Sequence, residues 1–168
     1  LDAEQIRDAI LSLTGELDLK ASGPSVDLAT PRRTIFTKVV RNKRDPLFDV
    51  FDAPDNLATV PQRSATTTPI QSLLMLNSPW MNERAKAFAA RLTKATADTK
   101  ESRTASQVKL AYQLAYASEP TAEELSAALQ FIEEQKQRIG ASEKEAASRA
   151  LFDFCHALLN SNRFLYVE

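Results

Sequence analysis

The chain has 168 residues, 43% of them hydrophobic, enough for one domain with a real core. With 21 basic against 22 acidic side chains the net charge is −1, so no global field favours nucleic acid or an anionic membrane. The single cysteine, Cys155, excludes an internal disulfide, a CxxC redox pair and a cysteine-built zinc site.

The N-terminus, LDAEQIRD, lacks a signal-peptide pattern, and no apolar run reaches the length of a membrane span. The chain opens on a helix without an initiator methionine, which reads as a fragment of a longer protein. Asp2 as cap, with Gln5 three residues on and Ile6, Ile10, Leu13 and Leu17 at helical spacing, predicts a first helix over residues 3–17. Residues 34–40, TIFTKVV, are rich in β-branched side chains and read as a short extended segment, which allows a two-stranded element. Ile35, Phe36, Val39 and Val40 also fit one helix face. Pro24, Pro31, Pro46, Pro54 and Pro61 mark this half as wrapped and irregular, the place where function is expected.

Thr68-Pro69-Ile70-Gln71 is a second capping arrangement and predicts a helix over residues 69–77. Ser78-Pro79 restarts the chain in a new direction, with Met81, Ala85, Phe88, Ala89 and Leu92 as a buried stripe. Residues 93–104 have nothing apolar larger than alanine and read as a flexible internal linker. Val108, Ala111, Tyr112 and Ala115 form the next stripe. Thr121 with Glu124 then caps a helix carrying Leu125, Ala128, Leu129, Ile132 and Ile139, closed by Gly140. Ser142 with Glu145 is expected to cap a final helix whose buried face holds Ala147, Leu151, Phe154, Cys155, Leu158 and Leu159. The expected fold is mainly α: a single domain, a helical bundle with three antiparallel helices at its C-terminal end and an irregular Pro-rich N-terminal half.

Several of these segments carry a resemblance. Arg32-Arg33-Thr34-Ile35-Phe36, Phe51-Asp52-Ala53-Pro54-Asp55, Arg63 with Thr66-Thr67-Thr68-Pro69-Ile70-Gln71, and Leu76-Asn77 are similar to successive motifs of a planctomycete-type C-terminal domain of unknown function. Residues 111–115, 120–125 and 153–164 resemble its remaining motifs. The resemblance implies upstream domains in the same polypeptide, often including a c-type cytochrome domain, and an extracytoplasmic setting. It brings no catalytic residue. Cys155-His156 is not the Cys-x-x-Cys-His of covalent haem attachment, so no cofactor is expected in this segment.

Candidate sites lie in the irregular half. Asp45, Asp49, Asp52 and Asp55 resemble a hard-cation cluster, but without the alternating ligands and central glycine of a calcium loop; aspartates accepting turn amides are the simpler reading, and no metal is expected. Arg32, Arg33, Arg41, Lys43, Arg44 and Arg63 suit an acidic or sulfated polysaccharide, or else pair with those aspartates to tie the segment down. Trp80 suits sugar stacking, although a lone tryptophan near Met81 is more often part of the core or of an interdomain contact. His156 lacks an orienting partner in the sequence, and Cys155 reads as an inert core thiol. Asn77 and Asn160 read as caps of carbonyls at helix ends, where asparagine tolerates the left-handed conformation, rather than as ligand contacts. The expected ligand-binding set is Arg33, Arg63, Asp52, Asp55 and Trp80, in a non-catalytic interaction module. The alternative is a share in an active site completed by upstream domains, with Arg63 and Asp52 contributing.

Overall fold

Eight α-helices account for most of the described residues: α1 Ala3–Thr14, α2 Pro46–Val50, α3 Pro69–Asn77, α4 Pro79–Ala95, α5 Arg103–Tyr116, α6 Ala122–Ile139, α7 Glu143–Leu159 and α8 Asn162–Leu165. The computed structural model describes residues 1–40, 45–54, 66–99, 102–140 and 142–166. The chain divides into two compact units, Leu1–Ser78 and Pro79–Glu168.

In the first unit α1 buries Ile6, Ile10, Leu11 and Leu13. It stops at Thr14, three residues short of expectation, because Gly15 adopts φ 78°, the left-handed conformation that glycine takes without a Cβ clash. Its N–H donates to Ser12 O at 3.1 Å, and the Glu16 N–H donates to Leu11 O at 3.0 Å, a Schellman closure that turns Leu17 out of the helix. Residues 34–36 form a 3₁₀ turn, in place of the extended segment expected there. Pairing among the described residues is limited to isolated parallel bridges, Asp18 with Arg32 and Val26 with Thr37, so no two-stranded element is seen. The reason is local: Asp8 Oδ1 accepts from the Thr34 N–H at 2.8 Å and the Thr34 hydroxyl at 2.6 Å, which bends the segment onto α1.

The short helix α2 has a readable start that sequence reasoning passed over. Asp45 Oδ1 accepts from the Leu47 N–H at 2.9 Å, with Pro46 in the first turn. Helix α3 has the expected bounds and a reciprocal capping box between Thr68 and Gln71. It packs on α2.

The second unit is a helical bundle built around α7, which packs on α4, α5, α6 and α8. On α4, Met81, Ala85, Phe88, Ala89 and Leu92 are all buried, as the spacing predicts. The helix continues to Ala95, into the stretch expected as linker, and buried Thr96 donates its hydroxyl to Leu92 O at 2.9 Å. Thr121 and Glu124 form the expected capping box of α6, and Gly140 ends it at φ 60°. Ser142 makes no side-chain cap bond, so the box expected with Glu145 does not form. Ala146 rather than Ala147 lies on the buried face of α7, with Leu151, Phe154, Cys155, Leu158 and Leu159. Helix α8 was not foreseen; Ser161 caps it, accepting from the Phe164 N–H at 3.2 Å.

Candidate functional site

The irregular half is organised by two buried arginines. Arg7, on α1, sits among apolar positions and is 2% exposed. Its guanidinium donates to Leu28 O at 2.6 Å, Arg32 O at 2.8 Å, Thr30 O at 2.9 Å and Thr34 Oγ1 at 3.1 Å. A segment without a sheet leaves carbonyls unpaired, and a planar five-donor fork satisfies several at once. Arg32 does the same for residues 20–24, donating to Lys20 O at 2.9 Å, Pro24 O at 3.1 Å and Ser22 O at 3.2 Å, with its guanidinium 4.7 Å above the Phe36 ring. Of the two expectations for the basic set, tying down the segment is right for Arg32, but its partners are carbonyls and not the aspartates. Arg33 is different. Its side chain is 56% exposed, and Nε lies 3.7 Å from Asp8 Oδ2.

Asp52 has φ 56°, an uncommon conformation for a residue other than glycine. Its Oδ2 accepts from the Thr66 N–H at 2.7 Å and from the Thr66 hydroxyl at 2.6 Å. Gln71 joins the same junction, its Nε2 donating to Thr66 O at 2.9 Å and Val50 O at 3.1 Å. Asp52 therefore clamps the end of α2 to the lead into α3, and it does not pair with Arg33. Asp45 caps α2. Asp55 and Arg63, with Arg41, Lys43 and Arg44, lie outside the described residues. Among the described residues no three His, Cys, Asp or Glu side chains come together as metal ligands would.

The remaining candidates belong to the second unit, except Asn77, which ends α3 in the first. Trp80 is half-buried, with the Arg84 guanidinium 5.7 Å from its ring. His156 stacks on Phe152 at 5.8 Å. Cys155 is fully buried, and that burial pushes its thiol far above the range in which a reactive thiolate forms. Asn77 and Asn160 cap carbonyls at their helix ends as expected: each amide donates back to a carbonyl four residues earlier, Leu73 O at 3.0 Å and His156 O at 2.7 Å. Asn160 has φ −93°, so it is not left-handed.

Two polar features were not anticipated. Arg163 on α8 stacks 4.6 Å above Tyr116, pairs with Glu124 at 2.8 Å and donates to Ser118 Oγ at 2.8 Å, while the Tyr116 hydroxyl meets Ser161 Oγ at 2.8 Å. Burial raises the Tyr116 pKa. Every group in this cluster has a partner, and its effect is to fasten α8 to the end of α5 and the start of α6. The second feature is an open groove of about 600 Å³ beside α4 and α7, lined by Lys86, Lys144, Glu145, Arg149, Phe152 and two serines.

On its surface the first unit exposes apolar side chains that its own core does not use. On α3, Ile70, Leu73 and Leu76 are 62%, 56% and 48% exposed, and their spacing of three places them along one side of the helix.

No curated protein and no solved structure shows significant similarity to the chain. A family model does match, over residues 1–132, which takes in all of the first unit and runs to Ile132 in α6, leaving residues 153–164 beyond it. The chain thus belongs to the PSD1 family, whose description is a protein of unknown function (DUF1553).

Proposed function

We propose that this chain is a non-catalytic interaction module whose α3 face docks on another folded domain, with upstream domains of the same exported polypeptide as the partner. The observation that carries the reading is the exposed row Ile70, Leu73 and Leu76 on a helix that is capped by Thr68 and already buries Gln71 and Met75. A helix can satisfy its own core with one stripe; a second apolar stripe facing water is costly unless something covers it. Covering three such half-exposed side chains contributes about 3 kcal/mol. The alternative, a share in a catalytic cleft through Asp52, is disfavoured because two hydrogen bonds from Thr66 to Oδ2 give that side chain a structural role as a clamp. The partner chemistry and the extracytoplasmic setting follow from the family resemblance.

The test supplies the upstream domains as a separate polypeptide and measures binding by calorimetry. Leu73→Asp with Leu76→Asp should weaken binding at least tenfold with the melting temperature of the free chain unchanged. Undiminished binding would refute docking through α3. A second reading, assistance in recognising acidic or sulfated polysaccharide, is favoured by the exposed Arg33 guanidinium, whose ion-pair contact among the described residues is the longer one to Asp8.

A further inference from the structure

Beside α4 and α7 the second unit has two adjoining open grooves, of about 600 and 410 Å³, which share Lys86, Ser148 and Phe152. Four cations line them, Lys86 and Lys94 from α4 and Lys144 and Arg149 from α7, against one carboxylate, Glu145. Glu83 holds Lys86 at 2.9 Å and so offsets it in part, yet Glu83 does not line either groove. Asp153, one turn beyond Arg149, offsets that guanidinium in part and is likewise outside both linings. Lys144 is exposed and has no ion-pair partner among the described residues. The charges are therefore spread along the walls, with the Phe152 ring between them.

We propose that this groove holds a segment of an anionic sugar chain, its sulfate or carboxylate groups on Lys144 and Arg149 and a ring lying along Phe152. The chemistry selects this class. A guanidinium fork and a point ammonium both suit oxyanions. Ser142 and Ser148 offer hydroxyls that donate and accept, as sugar hydroxyls require. An aromatic side chain suits the apolar face of a pyranose. The groove is open along its length, which fits part of a polymer better than an enclosed small molecule. Few, separated cations match intermittent charge, whereas a nucleic acid presents a phosphate at every step and asks for more neutralising contacts. This inference rests on the acidic-polysaccharide reading above and moves it from Arg33 to the second unit; it is independent of the α3 face.

The experiment is calorimetry of the full chain with a sulfated, a uronic and a neutral hexasaccharide, inorganic sulfate and a single-stranded oligonucleotide. The expected result is salt-sensitive binding of the two acidic sugars, weakened at least tenfold by Lys144→Ala with Arg149→Ala and unchanged by Arg33→Ala. Both substituted side chains are exposed, so the variant should keep the wild-type helical content, checked by circular dichroism. Acidic-sugar binding that survives the double substitution overturns the groove while leaving the polysaccharide reading intact. No binding of either acidic sugar overturns both. Inorganic sulfate held as tightly as the sulfated sugar, or tighter binding of the oligonucleotide, also overturns the proposal.

Discussion

Replacing Arg7 by methionine keeps most of the aliphatic stem and removes the guanidinium, and with it four hydrogen bonds to Leu28 O, Thr30 O, Arg32 O and Thr34 Oγ1. The four acceptors do not suffer equally. Arg32 and Thr34 are buried and cannot recover their bonds from water, whereas Leu28 and Thr30 are only half-buried and can. An unsatisfied buried acceptor costs about 1–3 kcal/mol. Arg32 O bears that in full, the Thr34 hydroxyl loses less because it still donates to Asp8, and Asp8 loses its 3.5 Å contact with Arg7, which together set a range of about 2–5 kcal/mol. Removing a charge that was expensive to bury gives some of that back, and about 3 kcal/mol is the expected loss. A single global midpoint would mix the two units, so the assay is native-state hydrogen exchange at Asp18, Val26 and Lys38, whose N–H groups donate to Pro31 O, Phe36 O and Val26 O. Protection there should fall by about a hundredfold, with amides inside α6 unaffected. Arg7→Lys, which retains the charge but loses the fork, should lie between. A change below about threefold at those amides would refute the argument that Arg7 holds this half together.

Four further outcomes are expected. Thr68→Ala should destabilise the first unit by about 1 kcal/mol through loss of the cap, read as faster exchange in the first turn after α3's free N–H groups; an unchanged rate would argue against the capping box. Ala117 closes α5 at φ 53°, so Ala117→Gly should stabilise the fold by about 0.5–1 kcal/mol by removing Cβ strain, and a lower melting temperature would contradict that. Burial holds the Asp153 carboxyl above its usual range, against the opposing pull of Arg149 and His156. A raised folded pKa means that the folded state favours the proton, so stability falls as pH rises from the ordinary carboxylate range through the folded value. Asp153→Asn should accordingly raise the melting temperature at pH 7, with the gain shrinking as pH falls and vanishing below the ordinary range; a gain independent of pH would contradict the assignment. Cys155 should resist thiol reagents at pH 8 until the chain unfolds, and rapid labelling of folded protein would show that α7 opens.

What was legible in the sequence was local. The box at Thr68 and Gln71, the box at Thr121 and Glu124, and the α4 stripe from Met81 to Leu92 each depend on residues three or four apart, and each formed as expected. Two misses were also local. Gly15 carried the stop signal of α1, and Asp45-Pro46 carried the same start signal as Ser78-Pro79, but hydrophobic spacing outweighed the first and an acidic-cluster reading absorbed the second. The Arg7 role was not legible, because its acceptors follow 21 to 27 residues later and three of the four are backbone carbonyls, which no side-chain pattern marks. Nor was the groove, whose walls come from α4 and α7.

That difference bears on how the arginines of this family segment are to be understood. Arg32 and Arg33 are neighbours in one motif, yet one is buried on carbonyls and an aromatic ring and the other faces water beside Asp8. Successive side chains in an extended stretch point to opposite sides, so adjacent arginines entering a 3₁₀ turn are divided between the interior and the surface by geometry alone. Arg32 is committed to the fold, and its replacement should be read in stability. Arg33 contributes little to the fold through an exposed 3.7 Å contact, so an effect of Arg33→Ala on any interaction, with stability unchanged, would report the surface itself. A ligand-binding role for the doublet therefore falls to Arg33 alone, whereas Lys86, Lys94, Lys144 and Arg149 in the α4 and α7 groove donate to no backbone carbonyl among the described residues.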